Sequence, residues 1–181
     1  NYLGWKDTFS LLFCNNRQRQ YQRVLKGGER GVYTPQMIIN GRYGVVGSRQ
    51  RKVNEVIAAD RQYERPLQLI SLTETKSEKQ HSLTVALPTL QSLNQDQEWQ
   101  LFLLGTSGEH AIPIASGENG GKHLPYINPV EHVSNKGAWN GRSKNVEWPL
   151  PNAPQVREWL VVAQQWPLGE IVAAGRFRVD D

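Results

Sequence analysis

Residues 31–48 read GVYTPQMIINGRYGVVGS. Two short apolar runs, at 37–39 and 45–46, flank Asn40-Gly41. An Asn-Gly step between such runs is a strong hairpin signal, because both residues tolerate the positive φ that a tight turn requires. Pro35 stands at the entrance to the first run. A proline has no N–H to give to a ladder, so it is tolerated where a strand begins. Position 35 is then either the end of a turn or one wall of a groove.

The order of elements follows on either side of this hairpin. Upstream, Asn15-Asn16 are N-cap candidates for a helix over RQRQYQRVLK, stopped by Gly27-Gly28. Tyr21, Val24 and Leu25 share one face of that helix. Downstream, Ser48 is placed to cap a second helix over 49–64, with Val53, Val56 and Ile57 on its apolar face and Pro66 after its end. The first part therefore reads helix–strand–strand–helix.

Residues 73–82, TETKSEKQHS, read as a polar linker or exposed loop. Beyond them the apolar period becomes two: Leu83, Val85 and Leu87; Trp99, Leu101 and Leu103; Val146, Trp148 and Leu150. WLVVAQQW and EIVAAGRFRV flank Pro167-Leu168-Gly169 as a second hairpin. Several short strands separated by turn residues predict an antiparallel sandwich or barrel-like unit.

The totals bound the class. A chain of 181 residues with 38% hydrophobic and 21% charged content has material for one or two folded domains. No run of about 18 apolar residues is present, so no helix is expected to cross a membrane. The opening NYLGWKD has neither a basic start nor an apolar core, and no initiator Met, so a processed or incomplete chain is expected. Residues 1–65 hold 12 Lys/Arg against 5 Asp/Glu, and residues 66–181 hold 9 against 12. The asymmetry fits a solvated basic face or a docking face for an acidic partner. No nucleic-acid-binding motif accompanies it, and no specific nucleic acid is expected.

Few residues offer chemistry. Cys14 is the single cysteine, so the given chain has no internal disulfide, Cys-x-x-Cys pair or cysteine zinc site. It is either an inert thiol or, just before a helix, a mildly activated one that forms only mixed disulfides. GENGGK at 117–122 has the wrong spacing for a phosphate loop and reads as a glycine-rich turn. The four histidines show no ligand spacing, no nucleophile elbow is present, and neither metal nor cofactor is expected. The six tryptophans read as core or rim packing, with a sugar platform as the lesser alternative.

Helix, proline, antiparallel strand pair, helix is also the order of the second half of a thioredoxin fold. YLGWKD at 2–7 with Phe9, RQxxY at 17–21, VYTPQM at 32–37, ING at 39–41 and VGS at 46–48 closely resemble a family of secreted bacterial thioredoxin-like proteins without assigned activity, domain of unknown function 1223. GENGGKHLPYINPV at 117–130 and GAWNGR at 137–142 resemble its carboxy-terminal signatures. The resemblance covers nearly the whole chain, except that the family's amino-terminal Cys-x-x-Cys segment is missing and LLFCNN at 11–16 departs from its pattern.

The resemblance implies an α+β fold: a partial thioredoxin-like α/β domain over 1–72, then an antiparallel β-sandwich-like domain over 73–181. It implies a cis Thr34-Pro35 bond, with Tyr33, Thr34 and Pro35 as half of a substrate groove. Glu118, Asn119, Tyr126 and Asn128 become a ligand contact or a stiff interdomain corner. It implies a periplasmic or secreted protein whose complete form serves thiol–disulfide chemistry, while the given chain is redox-inert. The alternative is a non-catalytic binding or structural subunit, completed by a protein partner or by the missing amino-terminal segment.

Overall fold

The computed structural model describes residues 9, 11–25, 33–63, 67–76, 81–90, 97–115 and 120–179. Helix α1 spans Leu12–Val24. Strands β1 (Gln36–Ile39) and β2 (Tyr43–Val46) form the expected hairpin, with Ile39 opposite Tyr43 across the Asn40-Gly41 turn. Both turn residues have positive φ, 46° and 71°. Helix α2 spans Gln50–Arg61. The rest is strand: β3 (Gln68–Leu69), β4 (Ser71–Lys76), β5 (His81–Leu87), β6 (Trp99–Thr106), β7 (Glu109–Pro113), β8 (His123–Ile127), β9 (Val130–Trp139), β10 (Lys144–Pro149), β11 (Glu158–Gln165) and β12 (Ile171–Arg178).

Two sheets carry the core. One has the order β10-β5-β4, the other β3-β12-β11-β6-β9. The period-two residues Leu83, Val85, Leu101, Leu103, Val161 and Ala173 lie between them, each at most 4% exposed. Trp99, Trp139 and Trp159 close the same cluster. The β11–β12 ladder is joined through Pro167-Leu168-Gly169, as the sequence predicts. In this ladder Gly175 faces Ile70 so closely that a Cβ would meet the Ile70 carbonyl oxygen at 2.1 Å.

The thioredoxin-like α/β expectation is corrected here. Twelve strands stand against two helices among the described residues, and the chain is mostly β. The local order helix–strand–strand–helix is present and Thr34-Pro35 is cis. However, among the described residues β1 and β2 pair only with each other and extend no larger sheet. Nor does α1 cover a sheet of its own. It lies on the outer face of the five-stranded sheet, through Phe13 on Phe102 and hydrogen bonds to Gln164. That sheet offers a second apolar face, and burying it outweighs local pattern in deciding where the helix goes.

Smaller expectations shift too. Asn15 and Asn16 lie inside α1, which is preceded by Leu11 without a side-chain cap, and Ser48 is not the α2 cap. Val24 faces solvent, while Tyr21 is buried. Residues 73–76 and 81–82 of the polar stretch are strand, β4 and β5 pairing from Ser71↔Ala86 to Lys76↔His81, while 77–80 lie outside the described residues. The polarity of the paired part reflects an edge strand with one wet face. Gly27-Gly28 and Pro66 lie outside the described residues.

A polar joint docks the β1–β2 hairpin on the β11–β12 turn. Arg42 is ion-paired with Asp60 of α2 and with Glu170, all three side chains largely buried. Asn40 donates its side-chain amide to Asp60 and accepts at its backbone carbonyl from the Ile171 amide, 2.9 Å. The Arg42 guanidinium also stacks 3.9 Å above the Tyr63 ring. A buried charge is tolerated only when paired, and here one cation answers two carboxylates.

Candidate functional site

The antiparallel register of β6 with β11 and β9 sets Phe102 opposite Val162, and Leu104 opposite Val133. These even-numbered β6 positions point away from the shared core and form an apolar floor. Above it lies α1. Phe13 meets Phe102 edge-on, with ring centroids 6.1 Å apart. Gln164 donates to the Tyr21 hydroxyl at 2.6 Å and to the Gly169 carbonyl at 2.8 Å. Arg17 donates to the same Tyr21 oxygen at 2.9 Å and to Gln164.

Helix, sheet and hairpin do not close completely. Between them is a cavity of about 410 Å³. Its floor is Phe102, Leu104, Val133 and Val162, its roof the α1 side chains around Arg17, and its third wall Thr34, Gln36 and Ile38. Gln18 donates to the Tyr33 carbonyl at 3.2 Å and so ties the helix to the segment before Pro35.

One cation stands at this cavity. The Arg17 guanidinium carbon is 5.2 Å from the Tyr21 ring centroid, 5.3 Å from Phe102 and 5.4 Å from Phe13. It pairs with no carboxylate among the described residues. Cys14 lies one helical turn earlier on the same wall and is a free thiol. Burial of its sulfur pushes the thiol pKa above its ordinary value, and the nearby Arg17 charge opposes this only in part. The surroundings therefore favour the thiol over the thiolate.

The cavity brings together two predicted site residues, Thr34 and Cys14. Pro35 stands beside it, its carbonyl accepting from the Gly47 amide at 2.8 Å. Tyr33 contributes its carbonyl to Gln18, and its buried hydroxyl has no partner among the described residues. Tyr126 and Asn128 do not line the cavity. Tyr126 packs on Phe9 in the β7–β8 hairpin, and Asn128 turns the chain with φ 49°. Glu118 and Asn119 lie outside the described residues. His132 packs edge-on against Trp159 and His110 bonds Ser107, while His81 and His123 face solvent.

Sequence reading missed Arg17, Phe102 and Leu104 as site residues. Phe102 and Leu104 had a signal: LFLL at 101–104 is apolar at consecutive positions, the mark of a strand buried on both faces. Arg17 opens the RQxxY motif at 17–21, but that motif marks the family and carries no sign of a ligand contact.

The family model described as protein of unknown function (DUF1223) matches residues 1–165. The chain belongs to the DUF1223 family. No curated protein matches it in sequence. A crystal structure from Agrobacterium tumefaciens, solved as a structural-genomics target, is similar to this DUF1223 chain with a TM-score of 0.74 at 23% identity. The match covers all of this chain and 77% of that one. At that identity the likeness shows a shared fold.

Proposed function

We propose that this DUF1223 chain is a redox-inert binding protein whose ligand site is the cavity beneath α1. The observation that carries the reading is the cavity itself. It is concave, mostly apolar, of small-ligand size, and has a few polar groups converging on it from α1 and from the 34–36 segment, which is the composition of a binding site. The thiol chemistry points the same way. Disulfide exchange that turns over needs an attacking thiolate and a second thiol to resolve the mixed disulfide. The given chain has one cysteine, and partial burial of its sulfur raises its pKa, which disfavours the thiolate.

Sequence resemblance supports a periplasmic or secreted setting. It also supports a conditional extension: a longer form with Cys-x-x-Cys upstream would bring thiol–disulfide chemistry of its own.

Reduction of insulin by dithiothreitol tests the redox half. The chain should leave the rate at its uncatalysed value, and Cys14→Ser should behave identically. Acceleration that Cys14→Ser abolishes would overturn the reading.

A further inference from the structure

We infer that the cavity beneath α1 takes an amphiphilic monocarboxylate, its apolar tail on Phe102, Leu104, Val133 and Val162 and its carboxylate on Arg17. The inference rests on the cavity being a ligand site and names the class of ligand.

The first argument is a mismatch between cover and floor. The sheet face under α1 is aliphatic and aromatic, yet the helix presents Asn15, Arg17 and Gln18 to the space above it. A helix whose role was only to seal this face would carry apolar residues there and fill the gap, because interiors pack densely and unfilled voids destabilise them. Meanwhile Leu12, on the same helix, is 81% exposed. The helix thus turns Leu12 away, sets Asn15, Arg17 and Gln18 between Phe13 and Tyr21 along the cavity, and leaves room over an apolar floor.

The second argument is the state of Arg17. Both of its hydrogen bonds leave from Nη2, to Tyr21 and Gln164. Nε and Nη1 donate to no group among the described residues. Three rings within 5.4 Å flank the half-buried guanidinium and cover part of its surface. A partly desolvated cation gains from an anion that takes its remaining donors, and the guanidinium fork matches a planar carboxylate. One cation answers one negative charge, so a single carboxylate fits better than a phosphate dianion. A neutral ligand would fill the floor and leave the cation unanswered. A cationic amphiphile would meet repulsion at the same place.

The test uses the whole chain and three ten-carbon probes: decanoate, decanol and decyltrimethylammonium. Affinities are read by calorimetry below the micellar range. Decanoate should bind, with decanol at least tenfold weaker and the ammonium probe weaker still. Decanoate should also slow alkylation of Cys14 by iodoacetamide, because the thiol lines the occupied space. Arg17→Gln should lose at least tenfold for decanoate and leave decanol within a factor of two. Leu104→Trp, which fills the cavity from the sheet side, should weaken both probes. Circular dichroism of both variants confirms that they fold. Equal affinity for decanoate and decanol, or an Arg17→Gln variant that keeps decanoate binding, overturns the carboxylate assignment while leaving a ligand cavity in place. Binding of none of the probes, or binding that leaves Cys14 alkylation and the Leu104→Trp variant unaffected, overturns the inference altogether. Neither result touches the insulin assay, which reads the redox proposal by itself.

Discussion

Gly41→Ala asks whether the β1–β2 hairpin is fastened to the β-sheet or merely lies beside it. Gly41 has φ +71°, and a Cβ there would stand 2.0 Å from the Gly169 carbonyl oxygen and 3.0 Å from the Gln164 amide nitrogen. Gly121 is the matched control, with φ +79° and nothing within 4 Å of the Cβ position. Alanine at either site meets the left-handed backbone penalty of about 1–2 kcal/mol. Only at Gly41 must a neighbour move. That movement breaks or stretches the Gln164–Gly169 and Ile171–Asn40 hydrogen bonds, 2.8 and 2.9 Å long, each worth about 1 kcal/mol. Gly41→Ala should therefore cost about 2 kcal/mol more than Gly121→Ala, and lower the melting temperature by about 4–8 °C more in a chain of this size. Urea titrations followed by tryptophan fluorescence and thermal melts by circular dichroism measure both. If the two variants melt together, the close approach of Gly41 to Gly169 is not made in solution, and the docking of hairpin on sheet described above is wrong.

Two further outcomes follow from the same interface and from β9. Gln164→Leu removes the donor to the Tyr21 hydroxyl and the Gly169 carbonyl and the acceptor for Arg17, so it should lower the urea midpoint by the equivalent of about 2 kcal/mol with an unchanged m-value; a shift under a few tenths would mean that α1 is not held there. Burial, with help from the Lys136 charge, lowers the His132 pKa in the folded state, so the unfolded chain takes up that proton first as pH falls below about 6.5. The stability tied to neutral His132 is then present above that pH and lost below it, and His132→Gln should flatten the fall in urea midpoint between pH 7.5 and 5; an unchanged slope would count against the shift.

Local chemistry made the hairpins legible. Asn40-Gly41 and Pro167-Leu168-Gly169 are turn signals that owe nothing to the rest of the chain, and both turns form. The alternation at 83–87 and 99–103 likewise reports a buried face directly, and those residues are the core. What failed was the step from order to architecture. A strand pair between two helices is compatible with many sheets, and membership of a larger sheet is decided by which edges find partners at long range. Here, among the described residues, β1 and β2 find none beyond each other, and α1 finds the outer face of strands more than 75 residues downstream. The polar run at 73–82 misled for a related reason: an edge strand need be apolar on one face only, so composition cannot separate it from a loop.

The site was legible in pieces whose meaning depends on what they touch. Thr34 reads from sequence as part of a substrate groove and Cys14 as a candidate reactive thiol, and both line one space, but the residues that give it character are Phe102, Leu104 and Arg17. A consecutive apolar run says that a strand is covered on both sides, without saying by what. A single arginine among six Lys/Arg or Gln positions of a helix says little about a ligand until it is seen among three rings and without a carboxylate among the described residues. Cys14 shows the consequence most sharply. Its place in the first turn of a helix argues for a lowered pKa, and its contact with the apolar cavity argues for a raised one; burial dominates. The same apolar floor that makes the thiol a poor nucleophile is what makes the space around it attractive to a hydrocarbon tail. The proposed redox inertness and the proposed ligand binding therefore rest on one cause, and a side chain large enough to fill the floor should remove the binding without giving the chain thiol–disulfide activity.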